Sequence, residues 1–116
     1  MQKFGILKNG EEAHLYSLKN QNGMEIKVSD FGATLVQVLI PASDGRMIDV
    51  VAGYDDVTGY EKGEASIGAT VGRVANRIGG ASFDIDGKTY LLTANDGKNT
   101  LHGGRDFYPK RLWKTV

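Results

Sequence analysis

Apolar residues along this chain gather in short stretches separated by glycine-containing reversals, a pattern of extended strands with little room for helix. Stretches rich in Val, Ile, Leu, Phe and Tyr predict strands at Ala13–Leu18, Met24–Val28, Thr34–Ile40, Met47–Ala52, Ala69–Val71, Ala81–Ile85 and Lys88–Leu92. Between them, Asn22-Gly23, Asp44-Gly45 and Asp86-Gly87 accept positive φ at little steric cost, which predicts hairpin reversals. Around the last of these, Phe83 and Ile85 alternate with Ser82 and Asp84 and Tyr90 follows, giving one apolar and one polar face. The segment Asp55–Glu61 predicts a single helical turn with an aspartate cap, its length limited by Gly59. Asp106–Val116 closes on Leu112-Trp113-Lys114-Thr115-Val116 without a turn or cap and reads as a strand cut short.

Composition narrows the class. At 116 residues, with no fixed-period repeat, charge block or low-complexity tract, residues 1–116 are expected to form one unit. Sixteen glycines against two prolines, spread through the sequence, add to the all-β texture. Fourteen Lys and Arg balance fourteen Asp and Glu, so no overall positive field draws in nucleic acid or an anionic membrane, and a small neutral partner is expected. The absence of cysteine excludes a disulfide scaffold and thiolate metal sites and suits the cytoplasm. No stretch approaches the roughly 20 apolar residues of a membrane span, and the chain is expected to be soluble and unprocessed.

Two clusters could carry chemistry. In Gly72-Arg73-Val74-Ala75-Asn76-Arg77-Ile78-Gly79-Gly80, an amide and two guanidiniums sit among small residues that let a ligand approach the backbone. Asn76 and Arg77 can donate several hydrogen bonds to sugar hydroxyls, Arg77 from a rigid fork; equally, both arginines can make surface ion pairs. In Ala94-Asn95-Asp96-Gly97-Lys98-Asn99-Thr100-Leu101-His102-Gly103-Gly104, a polar loop delivers a histidine followed by two glycines. His102 suits proton transfer near neutral pH with room for a substrate beside it, or a structural hydrogen bond in a turn. His14 lies in an alternating segment and reads as structural. Competing chemistries lack essential parts. There is no G-x-S-x-G nucleophile elbow to serve His102-Gly103-Gly104, no complete calcium loop around Asp84-Ile85-Asp86-Gly87, no nucleotide-binding glycine pattern, and no zinc-ligand set.

Taken in order, Asp30-Phe31-Gly32-Ala33-Thr34-Leu35, Asp49-Val50-Val51-Ala52-Gly53-Tyr54-Asp55, Gly72-Arg73-Val74-Ala75-Asn76-Arg77-Ile78 and Asn99-Thr100-Leu101-His102-Gly103-Gly104 resemble the N-terminal part of the aldose 1-epimerase (galactose mutarotase) family. The resemblance implies a galactose-mutarotase-like β-sandwich of mostly antiparallel strands, here only its N-terminal part, with the sugar in an open groove. It implies, too, that Asn76 and Arg77 contact a hexose such as galactose or glucose and that His102 lies at the ring oxygen. The expected reaction needs no cofactor or metal. A base removes the C1 hydroxyl proton while an acid protonates the ring oxygen; the ring opens, rotates about C1–C2 and closes as the other anomer.

Members of the family are longer, and their catalytic glutamate, principal acid histidine and a substrate-binding aspartate lie beyond the positions matched here. None of Glu11, Glu12, Glu25, Glu61 or Glu64 stands in the motif of that glutamate. The chain alone is therefore expected to be inactive, with the remaining C-terminal part of the enzyme, or a second copy, as its protein partner. Two other readings stay open: a carbohydrate-binding β domain without turnover, and a structural fragment that self-associates through unpaired strand edges.

Overall fold

A computed structural model describes residues 1–105 and 108–116. In its first half, β1 (Gln2–Ile6), β2 (Glu12–Lys19), β3 (Glu25–Ser29), β4 (Thr34–Pro41) and β5 (Met47–Asp49) pair antiparallel in chain order. The sequence pattern anticipates four of these strands. It misses β1, whose alternation is interrupted by Gly5 at an irregularity in the β1–β2 register.

Strand alternation gives the sheet two unlike faces. On one, Phe4, Ala13, Leu15 and Val36 are buried with Val57 and Tyr60 of the short helix α1 (Val57–Lys62). On the other, Tyr16 faces Val28, Leu18 faces Ile26, Ile26 faces Val38 and Ile40 faces Ile48 across neighbouring strands. Leu18 is 61% exposed, Ile40 41% and Ile48 46%, so this apolar face lies open at the outer end of the sheet.

Helix α1 starts where the sequence places its cap: the Asp56 carboxylate accepts the Gly59 N–H at 3.1 Å. Gly59 does not end the helix. A Cβ there would lie 2.5 Å from Tyr54, so the missing side chain lets Tyr54 pack edge-on against Tyr60, with ring centroids 5.1 Å apart. At the helix C-terminus the Lys110 ammonium donates to the carbonyls of Tyr60, Glu61 and Gly63 at 2.9, 3.0 and 2.8 Å. Burial there lowers the Lys110 pKa below its ordinary value, against the opposing pull of Glu61.

The second half is built from short pairings. β6 (Arg77–Ile78) pairs antiparallel with β9 (Thr100–Leu101), while β7 (Ser82–Ile85) and β8 (Lys88–Leu91) form a hairpin. Asp86 at φ 51° and Gly87 at φ 73° make its two-residue turn, and Phe83 stacks on Tyr90 with centroids 5.3 Å apart, as the alternation predicts.

Three expectations are corrected. Ala69–Val71 is not a strand, because its N–H groups serve turns: Ala69 bonds the Ser66 carbonyl and Thr70 the Gly32 carbonyl. β5 stops at Asp49, short of the expected Ala52, where the Asp49 carboxylate accepts the N–H groups of Val38 and Val51. Of the strand expected over Asp106–Val116, Asp106 and Phe107 lie outside the described residues. Tyr108–Lys110 forms a 3₁₀ turn, and Leu112 makes one antiparallel bridge to Phe31.

The radius of gyration, 17.4 Å, exceeds the roughly 13 Å of a compact domain of this length, and the molecule measures 58 × 33 × 28 Å. Among the described residues, no helix is long and apolar enough to cross a membrane.

Gly32 offers a test of how the two halves are joined. At φ 71°, a Cβ there would sit 2.6 Å from the Pro109 carbonyl oxygen and 2.7 Å from Thr34 Oγ1, whereas Gly45, at φ 84°, has nothing within 4 Å. Gly45→Ala is expected to cost about 1–2 kcal/mol from the left-handed backbone alone. Gly32→Ala is expected to cost roughly 1–3 kcal/mol more, from the clash with backbone. Urea unfolding followed by Trp113 fluorescence separates the two; equal losses would contradict the tight junction.

Candidate functional site

The β6–β9 pair is only two residues deep, and side chains finish what the ladder begins. Asn95 grips the backbone of Leu101 from both sides: its Oδ1 accepts the Leu101 N–H at 2.7 Å and its Nδ2 donates to the Leu101 carbonyl at 3.0 Å. Asp96 and Asn99 exchange backbone hydrogen bonds across the intervening turn, the Asn99 side chain accepts the Gly80 N–H at 3.2 Å, and Thr100 Oγ1 donates to the Thr93 carbonyl at 2.9 Å. The polar loop is thus a rigid bracket, and His102 is the residue it delivers.

His102 and Asn76 then lock each other. The His102 N–H donates to the Asn76 carbonyl at 2.9 Å, and the Asn76 N–H donates to His102 Nδ1 at 3.0 Å. An Nδ1 that accepts places the proton of the neutral ring on Nε2, which leaves Nε2–H as the outward donor. Both residues adopt the left-handed region, Asn76 at φ 63° and His102 at φ 52°, a conformation uncommon for residues with a Cβ and here held by the reciprocal bonds. Behind His102 the chain passes close to the first cluster, and a Cβ on Gly103 would lie 2.3 Å from the Gly72 carbonyl oxygen.

Arg77, next to Asn76, directs its Nε to Asp96 Oδ2 at 2.6 Å; the side chains are 56% and 35% exposed. At that exposure the pair contributes little to stability, but it aims the guanidinium and offsets its charge. Arg77 thus makes the surface ion pair, and among the described residues no hydrogen bond engages its terminal nitrogens.

The three predicted residues are neighbours but do not share one cavity. Asn76 lines a hollow of about 330 Å³ with Arg73, Phe83, Tyr108 and Arg111, where both guanidiniums lie over the Tyr108 ring, 5.8 and 5.4 Å from its centroid. His102 lines a separate hollow of about 340 Å³ with Glu64, Ser66, Val71 and Asn95. Arg77 lines neither. Sequence reasoning missed the roles of Asn95 and Asp96, although the density of Asn, Asp and Gly in that loop is the signal of side chains that bond local backbone. His14, read as structural, hydrogen-bonds through its ring nitrogens to Asp30 at 3.2 Å and Glu12 at 3.0 Å.

The architecture defines the class first: a mostly antiparallel β protein whose short β6–β9 pair brings an Asn-Arg pair and a histidine followed by two glycines close together. Its likeness to known proteins is specific. The family model for aldose 1-epimerase matches residues 14–116, and the chain belongs to the aldose 1-epimerase family. It is 38% identical over 111 residues to aldose 1-epimerase of Escherichia coli (strain K12), covering 96% of this chain and 32% of that protein. With galactose mutarotase of Bos taurus it shares 41% over 90 residues, covering 78% and 26%. Among solved structures, the GalM/aldose epimerase homologue from C. elegans superposes with a TM-score of 0.79 at 40% identity, over 90% of this chain and 32% of that one. Galactose 1-epimerase from Lactobacillus acidophilus NCFM gives 0.75 at 31%, over 92% and 30%. The chain therefore has the fold of these epimerases over its own length and spans about a third of the relatives it matches.

Asn95→Ala tests the bracket. Loss of both bonds to Leu101 is expected to cost roughly 1–3 kcal/mol. Hydrogen exchange should show the Leu101 and His102 amides losing protection while the β2–β3 amides keep theirs; uniform loss across the chain would contradict a local role.

Proposed function

We propose that this chain carries the sugar-holding part of an aldose 1-epimerase site, in which Asn76, Arg77 and His102 bind a free hexose such as galactose or glucose. The observation that carries this reading is the reciprocal Asn76–His102 hydrogen bonding, which fixes the ring and presents Nε2–H as a donor. A donor held in that way can assist at the ring oxygen as the C5–O5–C1 linkage opens, where negative charge develops. Arg77 lines neither hollow, and in this reading its fork, aimed by Asp96, reaches hydroxyls of the sugar from the rim.

Anomer interconversion needs a base for the C1 hydroxyl and a principal acid for the ring oxygen, and we assign neither role within residues 1–116. The open sheet face around Leu18, Ile26, Val38, Ile40 and Ile48 supports the same view. We propose that it seats a second sheet from the remaining part of an epimerase domain, completing a β-sandwich in the cytoplasm. That apolar face also favours a second reading, in which two copies of the chain cover it in one another; a discrete oligomer in light scattering would support it, and a monomer at high concentration would exclude it.

Polarimetry of freshly dissolved α-galactose and α-glucose tests the main reading. The chain alone should not speed mutarotation beyond buffer, and the chain combined with a C-terminal epimerase segment should. In the combined protein, His102→Ala is expected to lower kcat by roughly 10²–10⁴-fold. Failure of the combined protein to accelerate mutarotation would overturn the proposal.

A further inference from the structure

The hollow that His102 lines is bordered by an acidic residue to which the sequence pattern assigns no role. Glu64 follows the end of α1, is exposed, and shares the cavity of about 340 Å³ with His102 and Ser66. Glu61, one helical turn earlier, is committed: its carboxylate accepts the Lys8 N–H at 3.1 and 3.3 Å. Glu64 differs, because no described residue gives it a hydrogen bond or an ion pair. Of the other polar side chains of the cavity, the Ser66 hydroxyl can donate and accept but carries no charge, and the remaining two are a donor and an engaged amide. His102 offers Nε2–H, since its Nδ1 is bound to Asn76, and Asn95 spends its amide on Leu101. A hexose hydroxyl that accepts from a donor must still place its own proton, and an ionised carboxylate, which only accepts, is the matching group. The cavity volume lies in the range that encloses a small ligand.

Charge points the same way. No Lys or Arg lines this hollow among the described residues, and the nearby Arg77 charge is offset by Asp96 at 2.6 Å. The Lys110 ammonium, held on the Gly63 carbonyl at 2.8 Å, lies on the residue before Glu64 and weakens the negative potential of its carboxylate without forming an ion pair with it; what remains leaves a neutral sugar unaffected and disfavours an anionic one.

We propose that Glu64 is a sugar-positioning and selectivity residue of the His102 cavity: its carboxylate accepts a hydroxyl hydrogen bond from a neutral hexose and disfavours phosphorylated hexoses. This rests on the reading that His102 meets the sugar.

Isotope-labelled chain is titrated with galactose and, separately, with galactose 6-phosphate, following the His102 ring resonances in the wild type, Glu64→Gln and Glu64→Ala. Because Glu64 is exposed, the variants should keep the wild-type amide spectrum elsewhere. Galactose is expected to move the His102 signals in the wild type. The apparent Kd should rise about tenfold in Glu64→Ala, the loss of one charged hydrogen bond. Glu64→Gln should recover part of the galactose binding and improve galactose 6-phosphate relative to galactose several-fold, a change in selectivity that a merely structural role would not produce. Equal galactose binding and unchanged selectivity in all three proteins, with His102 shifting in each, would overturn the assignment of Glu64 and leave the sugar site standing. No His102 response to galactose in the wild type would overturn both.

Discussion

At the Asp30–Thr34 turn, Gly32 donates its N–H to the Arg111 carbonyl at 2.7 Å and accepts the Thr70 N–H at 3.0 Å. Three distant segments meet at this one residue, and they can do so because it has no Cβ. The neighbours reinforce the joint: Trp113 N–H bonds the Asp30 carbonyl at 2.8 Å, Thr70 Oγ1 bonds the Ala33 carbonyl at 2.9 Å, and Leu35 N–H bonds the Gly68 carbonyl at 2.8 Å. Asp30 in turn accepts the His14 N–H at 2.8 Å, which ties the joint into β2. Buried backbone groups need partners, and here the partners of a sheet turn are supplied by the segments that lead into the site and return from it. The orientation of the second half against the first sheet follows from that exchange more than from apolar burial, since the core consists of Phe4, Leu7, Ala13, Leu15, Phe31, Val36, Val57 and Tyr60, nearly all in the first half.

The site half has almost no core of its own and is held by polar side chains acting on backbone. Two residues of ladder would not fix a histidine, but the Asn95 grip, the Asn99 bond to Gly80 and the Thr100 bond to Thr93 over-determine the bracket. That over-determination is what lets Asn76 and His102 remain in left-handed backbone, each supported by the other. The chemical consequence is a chosen tautomer. A histidine free to flip would offer Nδ1–H or Nε2–H to a sugar; one whose Nδ1 is already accepting can offer only Nε2–H in its neutral form.

Much of this was legible in the residues. The period-2 pattern and the Asn-Gly and Asp-Gly turns locate β2, β3, β4, β7 and β8, because those strands depend on local alternation and turn chemistry. β1 was hidden by Gly5, which breaks the alternation, and the Ala69–Val71 stretch misled because apolar content cannot tell a ladder from a chain that bonds two turns. Gly59 misled in the opposite sense: propensity counts a helical glycine as a defect, while packing of Tyr54 requires it. Asn76, Arg77 and His102 stood out by residue type and by resemblance. Asn95, Asp96 and Glu64 did not, since their roles lie in which partner each meets, or fails to meet, in three dimensions.

Donors and acceptors divide unevenly around the two hollows, and the division bears on how a hexose would be held. Arg77 and His102 Nε2 offer only hydrogens and Asn76 adds one carbonyl oxygen beside its NH2, so a sugar bound by these three would meet more donors than acceptors, and hydroxyl protons left unmatched carry a cost of the kind that unsatisfied polar groups incur when shielded from water. Asp96 cannot supply the missing acceptor freely, because one of its oxygens is already held by Arg77 at 2.6 Å. Asp30, buried at 7% exposure, is occupied by His14. Glu64, which lines the hollow of His102 and has no partner among the described residues, is the acceptor we propose, and it directly follows Gly63, whose carbonyl Lys110 holds at 2.8 Å.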